Sequence, residues 1–141
     1  MKIVQFEPEH LQRLLLQPSQ AIMQPTLSDP TYGASLKEAG PAYSLVDGDA
    51  VFATAGLIPQ WSNRAIAWAL VSSEVGPHMV MLHKAVLRVF SLHHFRRIET
   101  SVACNFEQGH RWAKLLGFER EGRMRAFTPE GDDCDLYARV S

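Results

Sequence analysis

Gly76, Pro77 and His78 stand between a strand-like apolar run, Arg64 to Ser72, and a long helical run over 77–94. That placing suits anion chemistry. The first turn of a helix has N–H groups without intrahelical acceptors and carries the positive end of the peptide dipoles, so it stabilises a phosphate. Pro77 fits a first helical position but has no N–H to offer. His78 is a candidate phosphate contact or a helix-end residue. Glu74 puts a carboxylate on the same turn and is a candidate base, as is Glu99 on a later strand. Asn105 lies between a strand over 97–103 and a helix over 106–116, where Asn is a favoured cap.

The remaining reactive side chains are scattered. His78 and His83 are five residues apart and His93 and His94 are adjacent. Neither spacing puts two imidazoles on one helical face, and no metal site is expected. Cys104 and Cys134 form no CxxC, which reads as reduced thiols in a cytoplasmic compartment. Arg88, Arg96 and Arg97 with His93 and His94 lie about a helix C-terminus, where positive charge complements the dipole. Arg111, Lys114, Arg120, Arg123 and Arg125 form a second basic group, open to an anionic ligand or partner.

These residues need elements to position them. A short strand over 3–6 is followed by a helix opening at Pro8, with Leu11, Leu14 and Leu15 as its buried stripe. Four prolines between 18 and 41 predict a loop with a short helix over 30–39. Asp47-Gly48-Asp49 joins strands 42–46 and 50–58 as a hairpin, since Gly accepts the positive φ of the turn. A loop over 59–63 leads to the strand 64–72. Its apolar character along most of its length suits a strand covered on both faces. Met79, Leu82, Val86, Val89 and Phe90 mark the inner face of the long helix, and Gly117 ends the helix 106–116. Strands over 118–128 and 135–140 close the chain. The segments 64–72, 77–94 and 97–103 make a β-α-β unit, so the fold class is α/β with a central mixed sheet flanked by helices.

The chain of 141 residues suits one domain, 1–141, and 46% apolar residues are enough for a core without disulfides or metals. A net charge of -1 gives no global field toward nucleic acid or an anionic membrane, and neither partner is expected. Glu7 and Pro8 interrupt the first apolar stretch too soon for a signal peptide. No apolar run reaches the ~20 residues of a membrane span.

The strand-turn-helix from Trp68 to Phe90, and the string from Ser101 through Asn105 to Trp112-Ala113-Lys114-Leu115-Leu116-Gly117-Phe118, resemble the GNAT N-acetyltransferases over nearly the whole chain. The closing pair of strands with its polar turn adds to the likeness. The resemblance implies acetyl-CoA in a splay between the fourth and fifth strands. Its pantetheine would pair with the backbone of Ala69, Leu70 and Val71, and its pyrophosphate would sit on the turn Gly76, Pro77, His78 and Met79. It further implies that Asn105 helps hold the cofactor, with Trp112 and Lys114 on the same helix. The second basic group, Arg111, Lys114, Arg120, Arg123 and Arg125, is a candidate contact for the 3′-phosphate or for an acidic partner. The family loop, Arg/Gln-x-x-Gly-x-Gly/Ala, survives here only as Gly76. Where the family often has a proton-donating Tyr, this chain has Ala113.

Acetyl transfer needs a neutral amine, although a lysine amine has pKa about 10.4. It also needs a donor for the developing oxyanion, and the two substrates held in line. The resemblance implies an N-acetyltransferase acting on a small-molecule or protein amine, with Glu74 as the candidate base. The acceptor pocket would be built largely by residues 18–41 and the last hairpin, with Tyr32 and Trp61 as candidate lining. The altered loop and Ala113 support another reading, a GNAT-like domain without catalysis. Such a domain would be a homodimer or a partner-binding structural component, as in phage accessory or virion-associated proteins.

Overall fold

The computed structural model describes residues 1–141. β1 (Lys2–Gln5) is followed by two 3₁₀ helices, Pro8–Arg13 and Pro18–Met23, and by α1 (Gln24–Leu27) and α2 (Pro30–Ala39). β2 (Ala42–Asp47), β3 (Ala50–Trp61) and β4 (Arg64–Val71) come next. The 3₁₀ turn Gly76–His78 leads into α3 (Met79–Leu92). The chain ends with β5 (Arg97–Ala103), α4 (Glu107–Leu115), β6 (Glu119–Met124) and β7 (Cys134–Val140). One seven-stranded sheet runs in the order β1-β2-β3-β4-β5-β7-β6. Only β4 and β5 pair in parallel. This is the expected mixed α/β fold.

Successive residues of β4 divide the core. Leu70 packs with Phe6, Leu11, Leu14, Leu27 and Leu36 under the segment before β2. Val71, its neighbour, packs with Leu45, Ala53 and Leu82 on the α3 side. A strand alternates its side chains, so these are the two faces of the sheet. Phe90 of α3 and Ala113 of α4 share a further cluster with Leu57, Ile98, Phe118 and Tyr137. Both later helices therefore cover the same face. Burying Leu82 and Phe90 stabilises the α3 contact by about 1.5–3 kcal/mol each.

Local chemistry explains most boundaries. Asp29 accepts a hydrogen bond from the Thr31 amide at 2.9 Å, and Pro30 starts α2. Gly48 adopts φ 58° in the β2–β3 turn, and Gly117 adopts φ 94° after α4. Three expectations are corrected. The segment opening at Pro8 is a 3₁₀ helix, whose three-residue repeat buries Leu11 and Leu14 and leaves Leu15 63% exposed. β3 runs on through Pro59 to Trp61, with its pairing to β4 irregular between those two residues. β6 stops at Met124, because the chain turns back at Ala126, where φ is 50° and the amide donates to Asp133 Oδ1.

Candidate functional site between β4 and β5

The parallel ladder of β4 and β5 is short: Arg64 faces Arg97, Ala65 faces Ile98, and Ile66 faces Glu99. Beyond it the strands part. β3 pairs with β4 as far as Val71, and β7 pairs with β5 as far as Ala103. Each strand follows its other partner, and a V opens between them. At the vertex the Thr100 hydroxyl donates to Ala67 O at 3.1 Å. A cavity of about 340 Å³ runs from the V toward α3 and α4. Ala67, Ala69, Ala85, Ala103 and Gly109 leave it room, and Leu82, Phe90 and Phe118 help to make it apolar. A side chain at Gly109 would meet the Phe106 ring at 2.5 Å. Tyr43 is the one ionisable side chain on the wall. Its Oη lies 2.8 Å from His93 Nε2. Sequence reasoning missed Tyr43, which sits in β2 without a motif around it.

Of the expected cofactor residues, Ala69 and Trp112 line this cavity. Ala69 and Val71 turn their backbone groups to the open edge, while Leu70 turns its own to β3. The proof lies in Gln20, whose carboxamide donates to Ala69 O at 2.8 Å and accepts from Val71 N at 2.9 Å. Strand alternation then excludes Leu70 from that edge. Trp112 lines the cavity and donates from Nε1 to His83 Nδ1 at 3.1 Å, tying α4 to α3. Lys114 and Arg111 are exposed on α4. Asn105 is exposed and makes no hydrogen bond within the protein; Phe106, not Asn105, is the N-cap of α4, without a side-chain cap.

The turn before α3 has most of its N–H groups already committed within the protein. Ser72 N donates to Phe52 O, Ser73 N to Leu15 O, Val75 N to Ser72 O and His78 N to Val75 O. Glu74 N donates to Ser72 Oγ, and Met79 N to Gly76 O. Pro77 has none, so Gly76 carries the one uncommitted amide from Ser72 to Met79. Space beside the Gly76 α-carbon is open. The His78 ring packs on Phe52 with centroids 4.6 Å apart, and the Met79 side chain packs into the core. Glu74 is exposed and outside the cavity wall.

Other charged candidates are committed to ion pairs. Arg64 holds the Glu99 carboxylate, and Arg97 adds a second contact at 3.2 Å; these bonds keep Glu99 below the usual carboxylate range despite its burial. A carboxylate so stabilised is a poor base. Asp135 is paired with Arg120 at 3.0 Å and Arg123 at 3.3 Å. The Arg120 bond is the main cause of its depression to about 2. The second basic group thus leaves Arg111, Lys114 and Arg125 unpaired. Burial raises the Cys104 thiol, and the Asp135 carboxylate adds to the effect. Trp61 lies under Arg64 at the other end of β4, while Tyr32 packs on the Phe6 and Leu11 cluster. The two expected lining residues are therefore not brought together. No three His, Cys, Asp or Glu side chains form a metal-holding group.

No protein-family model matches the sequence, and no curated protein matches it. Solved structures do. An aminoglycoside 6'-acetyltransferase type Ii superposes with TM-score 0.76 at 16% identity, covering 99% of this chain and 97% of that one. The ribosomal-protein-alanine N-acetyltransferase from Brucella melitensis gives 0.74 at 13% identity, covering 100% of both chains. An acetyltransferase of the GNAT family from Bacillus anthracis gives 0.71 at 13% identity, covering 98% and 93%. The chain has the fold of these acetyltransferases. No helix is long and apolar enough to cross a membrane.

Proposed function

We propose that this chain, with its GNAT fold, is an N-acetyltransferase moving an acetyl group from acetyl-CoA to a primary amine. The V between β4 and β5, with a cavity below it, carries the reading. In this reading the pantetheine amides pair with Ala69 and Val71, whose polar groups face the V. The Gly76 amide and the start of α3 meet the pyrophosphate, with His78 and Met79 flanking. Exposed Asn105, Lys114 and Arg111 contact the nucleotide end. Trp112 forms part of the wall.

The reaction forms a C–N bond and breaks the thioester C–S bond. The amine loses a proton, and the departing sulfur gains one. Desolvation at the apolar wall favours a neutral amine. Main-chain N–H groups of β4 at the vertex are the candidate oxyanion donors. Tyr43, held by His93, is the candidate proton donor to the thiolate, since Ala113 fills the position of the family acid. Glu74, exposed on the turn before α3, stays the candidate base. The acceptor is an amine on a small molecule or a protein. The names of two neighbours, an aminoglycoside acetyltransferase and a ribosomal-protein-alanine N-acetyltransferase, show how widely acceptors vary on this fold. Two free cysteines fit a reducing cytoplasmic setting.

Release of free thiol from acetyl-CoA, measured over a panel of polyamines, aminoglycosides and peptide N-termini, tests the proposal. An amine-dependent rate with mass-confirmed acetylation is expected. Absence of both turnover and acetyl-CoA binding at millimolar cofactor would refute it.

A further inference from the structure

Where β5 leaves β4, another part of the chain takes its place. Ser73 N donates to Leu15 O at 2.8 Å, and Gln17 N donates to Val71 O at 3.0 Å. Leu16 lies opposite Ser72 in an antiparallel bridge. Four residues on, the Gln20 carboxamide covers Ala69 O and Val71 N. A second glutamine steadies the segment: Gln24 accepts from Leu16 N at 3.2 Å and donates to Leu14 O at 3.1 Å. Residues 15–20 thus form a strap along the open edge from Ala69 of β4 to Ser73 just beyond it.

The chemistry of that contact is specific. A glutamine carboxamide offers two N–H donors and a carbonyl acceptor, and Gln20 spends one donor and the acceptor on β4 groups two residues apart. It therefore satisfies β4 as an amide of a neighbouring strand would. Each amide of pantetheine likewise has an N–H donor and a carbonyl acceptor. Both cannot hold Ala69 O and Val71 N together. The strap is held by few bonds at this point, and Gln20 is only half-buried.

We propose that the Leu15–Gln20 strap is an intramolecular competitor for the acyl-CoA arm, with Gln20 as the group the pantetheine must displace. The proposal rests on the acetyl-CoA reading of the V. The strap swings off β4 before the cofactor seats and returns when it leaves. Cofactor affinity is accordingly set by the strap as well as by the pocket.

Calorimetric titration of acetyl-CoA into the wild type, Gln20→Ala and Gln20→Glu tests this, together with hydrogen exchange at the Val71 amide. Gln20→Ala is expected to bind about 5- to 150-fold tighter, the range for losing two competing hydrogen bonds. Gln20→Glu loses the donor to Ala69 O and is expected to show a smaller gain. The Val71 amide should exchange faster in free Gln20→Ala and become protected again on adding acetyl-CoA. Equal or weaker binding by both variants would overturn the strap and leave the acetyltransferase reading standing. No binding by any of the three, with Val71 exchange still accelerated in Gln20→Ala, would overturn the acetyl-CoA reading and the strap with it.

Discussion

At the residue scale, the cavity is nearly without acid or base. Tyr43 alone can ionise on its wall, and its pairing with His93 fixes where the hydroxyl points. Tyr43→Phe is expected to lower turnover roughly 100-fold, within the usual range for general acid catalysis, while the KM for acetyl-CoA stays unchanged. Steady-state rates with a good acceptor check this; undiminished turnover would remove Tyr43 from the mechanism. Asp135 serves stability instead. Arg120 and Arg123 hold it at about 2, below the ordinary carboxylate value. A depressed acid contributes stability that is complete above its unfolded pKa and is lost as pH falls through the folded one. Asp135→Asn should therefore unfold at lower urea than the wild type near neutral pH. The gap should close between about pH 4 and about pH 2. A gap that persists at the acid end would show that the carboxylate's charge does not matter.

At the element scale, the chain advertises what is periodic or capped. The helix 30–39 and the strand 97–103 agree with Pro30–Ala39 and Arg97–Ala103 because a cap, a proline and local patterning mark them. Gly117, with φ 94°, ends α4 where its sequence position suggests. Gly117→Ala is expected to cost about 1 kcal/mol in urea unfolding, since a side chain disfavours that backbone region. The strap was not legible. Leu15, Leu16 and Gln17 look like the tail of a helical stripe, and their partners lie more than fifty residues away on β4. A local pattern cannot announce a contact whose bonds are main-chain groups and a glutamine side chain. The Ser72–Met79 turn was half legible. Its altered residues could be read, but the internal use of its N–H groups follows from the tight 3₁₀ geometry.

At the scale of the whole molecule, element order predicted the sheet well, because a β-α-β unit between hairpins leaves few topologies. The V is a property of that topology: two parallel strands are each drawn toward an antiparallel neighbour, and the gap between them is the candidate site. The molecule thus presents an opening between β4 and β5, partly closed by its own strap, with a single uncommitted amide on the turn before α3. The most direct test is a backbone amide NMR titration with acetyl-CoA. The account expects shifts at Ala69, Val71 and Gly76, and at 15–20 as the strap leaves β4. An absence of shifts at millimolar acetyl-CoA, or shifts gathered on the β1 or β6 edge with the V untouched, would contradict it.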